Sequence, residues 1–271
     1  MNPLDAPAPD SPVLRLFLRH FGLAPDMAPL ALLEGVSRAF ATIPYENLTK
    51  IIKLADAGSP RRAKRGPLEV VSEHVDLGAG GTCFSLTAAL LHILRALGFE
   101  VQPILADRNY GANTHCALIV WIDGAPHVLD PGYLIVRPVG LGRSGEIHVP
   151  TAFNEILLVP QAGVEKLDLY TIQNGNRTYR LTFKADPVDD VEFLKAWEAS
   201  FDWEMMRYPV LTRVRGDEQL YLQGERFQVR TLHEVTRQQI SKPDIVEKIN
   251  AEFGVGEGVA RRAFEVLART E

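Results

Sequence analysis

Three residues of this chain have the types and spacing of an activated thiol: a cysteine, a histidine and an aspartate. Cys83 follows two glycines and opens a long apolar run, so we predict that it lies in the first turn of a buried helix. A helix N-terminus presents unpaired backbone N–H groups and about half a positive charge, and both favour thiolate over thiol. The glycines, Gly80 and Gly81, would let a substrate approach the backbone closely.

The histidine and the aspartate lie on two segments that a hairpin signal joins. Residues 114–122 are almost continuously apolar, which predicts a strand covered on both faces, and Asp123-Gly124 is a two-residue turn signal. Counting residue pairs outward from this turn places His115 and Asp130 on one face, with Cβ atoms about 5–8 Å apart. A four-residue loop would keep this shared face, whereas a three-residue loop would place the two on opposite faces.

Together these residues predict nucleophilic chemistry at an acyl carbon. Asp130 would hold the imidazole, His115 would take the thiol proton, and Cys83 would attack. Backbone N–H groups at the start of the helix could stabilise the oxyanion. Each residue alone has a plain structural interpretation, because a lone cysteine or histidine on an apolar element is commonly just packed. The three lack the close spacing of metal ligands and a fourth ligand, so no metal is predicted.

Four segments, in this order, resemble the arylamine N-acetyltransferase family. They are residues 43–48 (Ile-Pro-Tyr-Glu-Asn-Leu), 80–84 (Gly-Gly-Thr-Cys-Phe), 114–115 (Thr-His) and 128–133 (Val-Leu-Asp-Pro-Gly-Tyr). The resemblance covers residues 12–271. It implies an α+β, multidomain fold around a papain- or transglutaminase-like Cys-His-Asp core. We expect an N-terminal helical bundle over 1–98, a central antiparallel β-barrel over 99–185 and a C-terminal α/β lid over 186–271.

The same resemblance implies an activity. It implies ping-pong transfer of an acetyl group from acetyl-CoA to an aromatic amine or hydrazine, with a triad of Cys83, His115 and Asp130. Acetyl-CoA would be the acyl-donor substrate, and the acceptor a small aromatic amine. By analogy, aromatic side chains would line the acceptor pocket. The predicted substrate-binding residues are Tyr45, Tyr133, Thr114 and Gly132.

The chain departs from the family's pattern near the nucleophile. Ala79 stands where the family has an arginine that would pair with the motif glutamate, so Glu46 needs another partner or water. The Glu-Leu-Asn that follows Cys-Phe in the family is Ser-Leu-Thr at 85–87. Tyrosine replaces phenylalanine at Tyr45 and Tyr133, which adds hydroxyls to the pocket. The triad is therefore retained while substrate-facing positions differ.

Three other functions stay open on the residues alone. The first is an amide synthase that moves a carrier-bound acyl chain onto an aromatic amine. The second is a transglutaminase-like or papain-like amidase, since thiol, histidine and aspartate suffice for hydrolysis as well as transfer. The third is a non-enzymatic relative that keeps the triad residues.

Bulk properties exclude several classes of protein. The 271 residues carry a net charge of −5, which argues against a general nucleic-acid binder. No apolar run is long enough for a transmembrane helix, and the first ten residues do not read as a signal peptide. Two cysteines, Cys83 and Cys116, are too few for a disulfide scaffold, although one bridge between them stays open. We expect a cytoplasmic monomer or homodimer without nucleic-acid or membrane partners.

One dense basic run lies at residues 61–65, Arg-Arg-Ala-Lys-Arg. It is either a solvated loop or a contact for an anionic ligand such as a phosphate group.

Hydrophobic periodicity predicts helices first and strands later. The predicted helices run from Pro12 to Gly22, over 30–41, over 67–75, from Cys83 to Gly98, and over 242–253 and 257–268. The predicted strands are 101–106, 116–122, 127–129, 156–159, 167–171, 179–184, 219–222 and 227–229.

Overall fold

Helices make up most of the first hundred residues. The computed structural model describes residues 3–142, 145–162 and 165–269. The α-helices of this part of the chain are α1 (Pro12–Phe21), α2 (Pro29–Phe40), α3 (Leu48–Ala57), α4 (Pro60–Ala63), α5 (Pro67–Leu77), α6 (Cys83–Ala96), α7 (Asp190–Ala199), α8 (Ile245–Lys248) and α9 (Glu257–Leu267). No helix among these residues is long and apolar enough to cross a membrane.

The strands form two antiparallel sheets. They are β1 (Tyr45–Glu46), β2 (Val101–Arg108), β3 (Gly111–Ile122), β4 (Ala125–Asp130), β5 (Ile135–Gly140), β6 (Ile147–Pro150), β7 (Glu155–Pro160), β8 (Lys166–Gln173), β9 (Asn176–Lys184), β10 (Val210–Arg215), β11 (Glu218–Gln223), β12 (Arg226–Arg230) and β13 (Val235–Gln239). The larger sheet, ordered β5-β4-β3-β2-β9-β8-β7-β6, is a nearly closed eight-stranded barrel. The smaller sheet is ordered β1-β10-β11-β12-β13. The predicted α+β fold is confirmed.

The hairpin between β3 and β4 has the predicted two-residue turn. Ile122 pairs with Ala125, and the register continues to Leu118 opposite Leu129. Asp123 and Gly124 both have positive φ, 51° and 75°, as a tight turn matched to the twist of a hairpin requires. Aspartate tolerates this region and glycine adopts it freely, so the turn sequence fixes the register.

Helix α6 is held from both sides. It packs against α1, α5, β2 and β3, and most of its residues are buried. From the C-terminal side, Phe193 and Trp197 of α7 contact Phe84, with ring centroids 5.3 and 6.3 Å away. The core of the N-terminal helices thus includes α7, a helix that comes after the barrel strands in the sequence. The three-domain division stays a prediction.

The first motif is anchored to the C-terminal sheet. In β1, Tyr45 pairs with Thr212 and Glu46 with Leu211 of β10. The Asn47 side chain accepts a hydrogen bond from the backbone N–H of Val210 at 2.8 Å, and its amide group donates to the carbonyl of Tyr208 at 2.8 Å. The loop that carries Tyr45 is therefore positioned by residues far along the chain.

Several elements differ from the predictions. Helices α3, α4 and α7 and strands β1, β5, β6, β10 and β13 were not predicted. The two residues of β1 are extended only because β10 pairs with them, and no local pattern marks such a strand. Strand β2 continues to Arg108, two residues beyond its predicted end, past an irregularity in its pairing with β3. The predicted strand is therefore too short at the end of the barrel that lies nearest the site.

Candidate active site

The three residues singled out by the sequence lie on three elements that meet at one place. Cys83 is the first residue of α6, His115 lies on β3, and Asp130 ends β4. His115 Nε2 and Asp130 Oδ2 are 2.6 Å apart, and all three side chains are buried. Asp130 Oδ1 also accepts a hydrogen bond from the backbone N–H of Tyr133 at 3.3 Å, so the carboxylate is held twice. The predicted proximity of His115 and Asp130 is confirmed.

The surroundings of Cys83 favour its thiolate. A hydrogen bond from the Cys116 thiol lowers the Cys83 pKa, burial opposes this, and a hydrogen bond with His115 reinforces it, so the pKa falls well below its ordinary value. For His115, burial lowers the pKa, but the charge and hydrogen bond of Asp130 outweigh it and the pKa is raised. The arrangement therefore supports a thiolate–imidazolium pair.

Cys116 is the second thiol of the site. It is free, as is Cys83, so the bridge that the sequence left open is not formed here. Its Sγ lies 3.3 Å from Oγ1 of Thr87. Burial, together with the neighbouring Cys83, raises the pKa of Cys116 well above its ordinary value. Cys116 therefore stays protonated and serves as a donor to Cys83.

The opposite pKa directions of the two cysteines predict selective alkylation. Iodoacetamide should modify Cys83 with an apparent pKa below the ordinary value of about 8.5, because the thiolate is already present at lower pH. Replacing His115 by alanine should move this apparent pKa upward, since an opposing charge and a hydrogen-bond partner are lost. Peptide mass mapping across pH measures both effects. Preferential modification of Cys116, or an unshifted profile in the variant, would contradict this description.

The glycines before Cys83 serve chain packing. A Cβ on Gly80 would lie 1.7 Å from the carbonyl oxygen of Pro44, so only glycine fits where the first motif crosses the second. The backbone N–H of Glu46 donates to the Gly81 carbonyl at 3.0 Å, which joins the two motifs. At Gly80 the predicted reason, access for a substrate, is wrong, because the closely approaching group is this chain's own backbone.

Glu46 finds its partner in Arg65. Glu46 is fully buried, and its Oε1 lies 3.8 Å from Nη1 of Arg65, whose side chain is 3% exposed. The same Nη1 donates to Thr49 Oγ1 at 2.7 Å and to the Gly80 carbonyl at 2.6 Å. Nη2 pairs with Glu73. Arg65 thus supplies the positive charge that Ala79 cannot.

The residues of the basic run around Arg65 differ in their surroundings. Lys64 pairs with Glu198, while Arg61 and Arg62 are exposed on α4. The solvated-loop interpretation is wrong for Arg65, which is buried and paired. The anion-contact interpretation is likewise wrong for Arg65, whose partners are carboxylates of the chain itself.

The two predicted pocket tyrosines lie near the triad. The Tyr133 ring stands edge-on to His115, with centroids 5.3 Å apart. The Tyr45 hydroxyl donates to Sδ of Met205 at 3.7 Å. Burial, followed by the charge of the nearby Cys83, raises the pKa of Tyr45 well above its ordinary value. Tyr45 therefore lies near Cys83 and Tyr133 lies beside His115, and their contact with a substrate stays a prediction.

The other two predicted binding residues have structural contacts. Thr114 is buried, and its hydroxyl donates to the Gly111 carbonyl at 2.9 Å. Gly132 lies in the short turn after β4, where a Cβ would lie 3.1 Å from Asp130 Oδ1. Thr114 therefore bonds to the first residue of its own strand, and Gly132 leaves room for the Asp130 carboxylate. Binding of substrate by Thr114 and Gly132 is untested and stays a prediction.

Arg108 is a site residue that the sequence predictions missed. Its Nη2 lies 3.3 Å from Nδ1 of His115, the ring nitrogen that does not face Asp130. Nη2 donates to the Tyr133 hydroxyl at 3.4 Å and Nη1 to the Tyr110 hydroxyl at 2.6 Å. The predicted strand ends at residue 106. Had it been extended to Arg108, the arginine would have been placed beside β3, the strand that carries His115.

Lys50 is a second cation near the nucleophile. Its Nζ donates to the carbonyl and hydroxyl oxygens of Ser200 at 2.8 and 2.6 Å and lies 4.3 Å from the centroid of the Phe201 ring. Burial lowers the pKa of Lys50 to about 7. The charge of Lys50 therefore depends on pH near neutrality. The guanidinium of Arg108, by contrast, stays charged at any ordinary pH and is a permanent positive charge near Cys83.

Comparison with known proteins shows the family and the fold of this chain. The N-acetyltransferase family model matches residues 30–260, which is most of the chain. The chain belongs to the arylamine N-acetyltransferase family, as the sequence motifs predict. No curated protein sequence matches the chain.

Solved structures show the same fold at low identity. The arylamine N-acetyltransferase from Mycobacterium abscessus is 19% identical, with a TM-score of 0.79 and 94% of each chain covered. The Mycobacterium smegmatis enzyme is 22% identical, with a TM-score of 0.77, covering 94% of this chain and 98% of that one. The Salmonella typhimurium enzyme is 18% identical, with a TM-score of 0.76, covering 96% and 99%. The similarity extends over nearly the whole chain.

Proposed function

We propose that this protein transfers an acetyl group from acetyl-CoA to the nitrogen of an arylamine or hydrazine, through a thioester on Cys83. The observation that carries the proposal is the buried, hydrogen-bonded pair of His115 and Asp130, grouped with a buried Cys83 at the start of α6. Family membership supports acetyl transfer as the reaction class. The 2.6 Å contact between His115 and Asp130 supports a base held in one orientation.

The first half-reaction acylates the enzyme. The Cys83 thiolate attacks the carbonyl carbon of the acetyl thioester, and backbone N–H groups at the start of α6 face the developing negative charge. The carbon–sulfur bond to CoA then breaks. The departing CoA thiolate takes the proton held on the His115 imidazolium, which leaves a neutral ring beside the acetylated cysteine.

The second half-reaction discharges the enzyme. The amine nitrogen attacks the Cys83 thioester carbon while neutral His115 takes the N–H proton. The carbon–sulfur bond breaks and Cys83 leaves as a thiolate. The thiolate–imidazolium pair is thereby restored, and Asp130 stabilises the imidazolium at both stages. Since Cys83 and Cys116 must stay reduced for this cycle, we propose a reducing compartment such as the cytoplasm.

An intact-mass experiment tests the proposal. Incubation with acetyl-CoA alone should add one acetyl group, and peptide mapping should place it on Cys83 and not on Cys116. Addition of an arylamine such as 4-aminoacetophenone should remove the group and yield the acetylated amine. Absence of the adduct under conditions in which Cys83 still alkylates rapidly would contradict acetyl-CoA as donor.

The same experiment separates the alternatives. Discharge by water at the same rate with and without amine would indicate an amidase. Acylation by a carrier-bound chain but not by acetyl-CoA would indicate an amide synthase. A Cys83 that accepts no acyl group and alkylates with an ordinary thiol pKa would indicate a non-enzymatic relative.

A further inference from the structure

Arg108 contacts the ring nitrogen of His115 that does not face Asp130. Asp130 Oδ2 lies 2.6 Å from Nε2, so Nδ1 is the nitrogen left to exchange a proton with Cys83. Arg108 Nη2 lies 3.3 Å from this Nδ1. A guanidinium has donors and no acceptor, so it can bond to Nδ1 only while that nitrogen carries no proton. The contact therefore favours the neutral imidazole ring.

A protonated His115 would meet Arg108 as a like charge. Burial lowers the pKa of Arg108, but neighbouring tyrosines and Cys83 outweigh burial and raise it, so the guanidinium stays charged. Burial also lowers the pKa of His115, Asp130 raises it, and Arg108 lowers it again. Like charges repel more strongly inside a protein than in water. Asp130 and Arg108 thus act on the two ring nitrogens in opposite directions.

The charges around His115 change during the proposed reaction. The titratable groups that face it from neighbouring elements of the described chain are Cys83 on α6, Arg108 on β2, Asp130 on β4 and Tyr133 in the turn after β4. Burial raises the pKa of Tyr133, so its hydroxyl is neutral. Arg108 and Asp130 keep their charges throughout, whereas the Cys83 thiolate disappears when the thioester forms.

The second half-reaction needs a ring that is free to take a proton. In the acyl-enzyme the thiolate no longer stabilises an imidazolium, while the guanidinium of Arg108 still opposes one. Nη2 of Arg108 also donates to the Tyr133 hydroxyl at 3.4 Å, so it keeps an acceptor when a proton arrives at His115 Nδ1. The contact can therefore hold the ring neutral and still release Nδ1 to a substrate.

We propose that Arg108 is a positioning residue for the second half-reaction: its guanidinium keeps His115 neutral, with Nδ1 ready to act as base, once Cys83 is acylated. The inference rests on the proposed acyl transfer at Cys83 and deepens it. The amine nitrogen bonds to the thioester carbon, its proton moves to Nδ1, and the carbon–sulfur bond breaks with its electrons on the Cys83 sulfur. The thiolate that returns again stabilises the imidazolium.

An NMR titration of the ring nitrogens tests this contact without any turnover. Cys83→Ala lacks the thiolate, as the acyl-enzyme does, so with Arg108 intact His115 should be neutral at neutral pH and carry its proton on Nε2. Adding Arg108→Gln should move the midpoint of the His115 titration upward by about one pH unit, since a positive charge is removed. An imidazolium at neutral pH in Cys83→Ala would overturn the proposal. That measurement needs no change at Arg108, so it holds even if the Arg108 variants fail to fold.

The pH profile of discharge tests the same role in the reaction. Transfer from a preformed acetyl-enzyme to an arylamine should rise with pH as His115 loses its proton. Arg108→Gln makes the ring more basic, so the rise should move to higher pH by about one unit, with rates about tenfold lower below it. Arg108→Lys keeps the charge and should reverse most of this shift. Arg261→Gln, an exposed arginine on α9, is the control and should leave the profile unmoved.

A purely structural role of Arg108 predicts a different result. Rates would then fall equally at every pH, in the Gln and Lys variants alike, with no movement of the profile. This result would overturn the proposal and leave acyl transfer standing. If the wild-type protein forms no acetyl adduct, the proposed function fails, and the NMR titration is read alone. A midpoint that moves with Arg108→Gln then supports control of His115 by Arg108, and an unmoved midpoint overturns it.

Discussion

Replacement of Cys83 by alanine is expected to lower kcat/KM for acyl transfer by about 10⁴- to 10⁶-fold, the range seen when a nucleophile of a catalytic triad is removed. The remaining groups would still bind substrates and polarise the thioester, but no covalent intermediate could form. Release of CoA in the presence of an arylamine measures the loss. The acetyl adduct should disappear from the intact mass at the same time.

Cys116→Ala is the matched control, because this chain has only two cysteines. The variant keeps the nucleophile and removes the donor that lowers the Cys83 pKa. It should therefore still form the adduct, with the pH profile of acylation moved to higher pH. A Cys83→Ala protein that retains a few per cent of wild-type kcat/KM would exclude a thioester as the obligatory intermediate.

Replacement of Arg65 by alanine is expected to lower the free energy of unfolding by about 3–5 kcal/mol, as for other buried ion pairs that lose one partner. The loss leaves the carboxylate of Glu46, which has no exposed surface, beside Thr49 and without a counter-charge. It also leaves the Gly80 carbonyl without its donor. For a chain of this length the melting temperature should fall by roughly 10 °C.

Thermal and urea unfolding measure this effect, and Arg61→Ala is the control. Arg61 belongs to the same basic run but is exposed, so its removal should change stability by less than about 0.5 kcal/mol. The double variant Glu46→Gln with Arg65→Ala should lose less than the two single variants summed, because each removes the other's partner. Equal stabilities of the Arg65 and Arg61 variants would show that the buried pair contributes nothing.

The proximity of His115 and Asp130 was predictable because every step of the argument is local. The period of a strand places alternate residues on one face, and Asp123-Gly124 sets the count between the two residues. The start of α6 at Cys83 was also local, since an apolar run follows directly.

Arg65 and Arg108 were not predictable, for two different physical reasons. Nothing in the sequence between Glu46 and Arg65 signals that they meet, because their contact depends on how α3, α4 and the Gly80 backbone pack together. Arg108 lies beyond an irregularity in the β2–β3 pairing, where alternation no longer tells which way a side chain faces. Ala79 replaces the arginine of the family's motif, and Arg65, which supplies the charge instead, lies outside all four motif segments.

Because β1 pairs with β10, the segment that carries Tyr45 can be positioned only after β10 has been synthesised. As the protein is synthesised from its N-terminus, Cys83, His115 and Asp130 are all present once the β3–β4 hairpin has emerged. The strand that fixes Tyr45, and the backbone groups that Asn47 binds, come much later with Tyr208 and Val210. A ribosome-bound chain therefore contains Cys83, His115 and Asp130 before it contains the residues that position Tyr45, and the last third of the protein completes that segment.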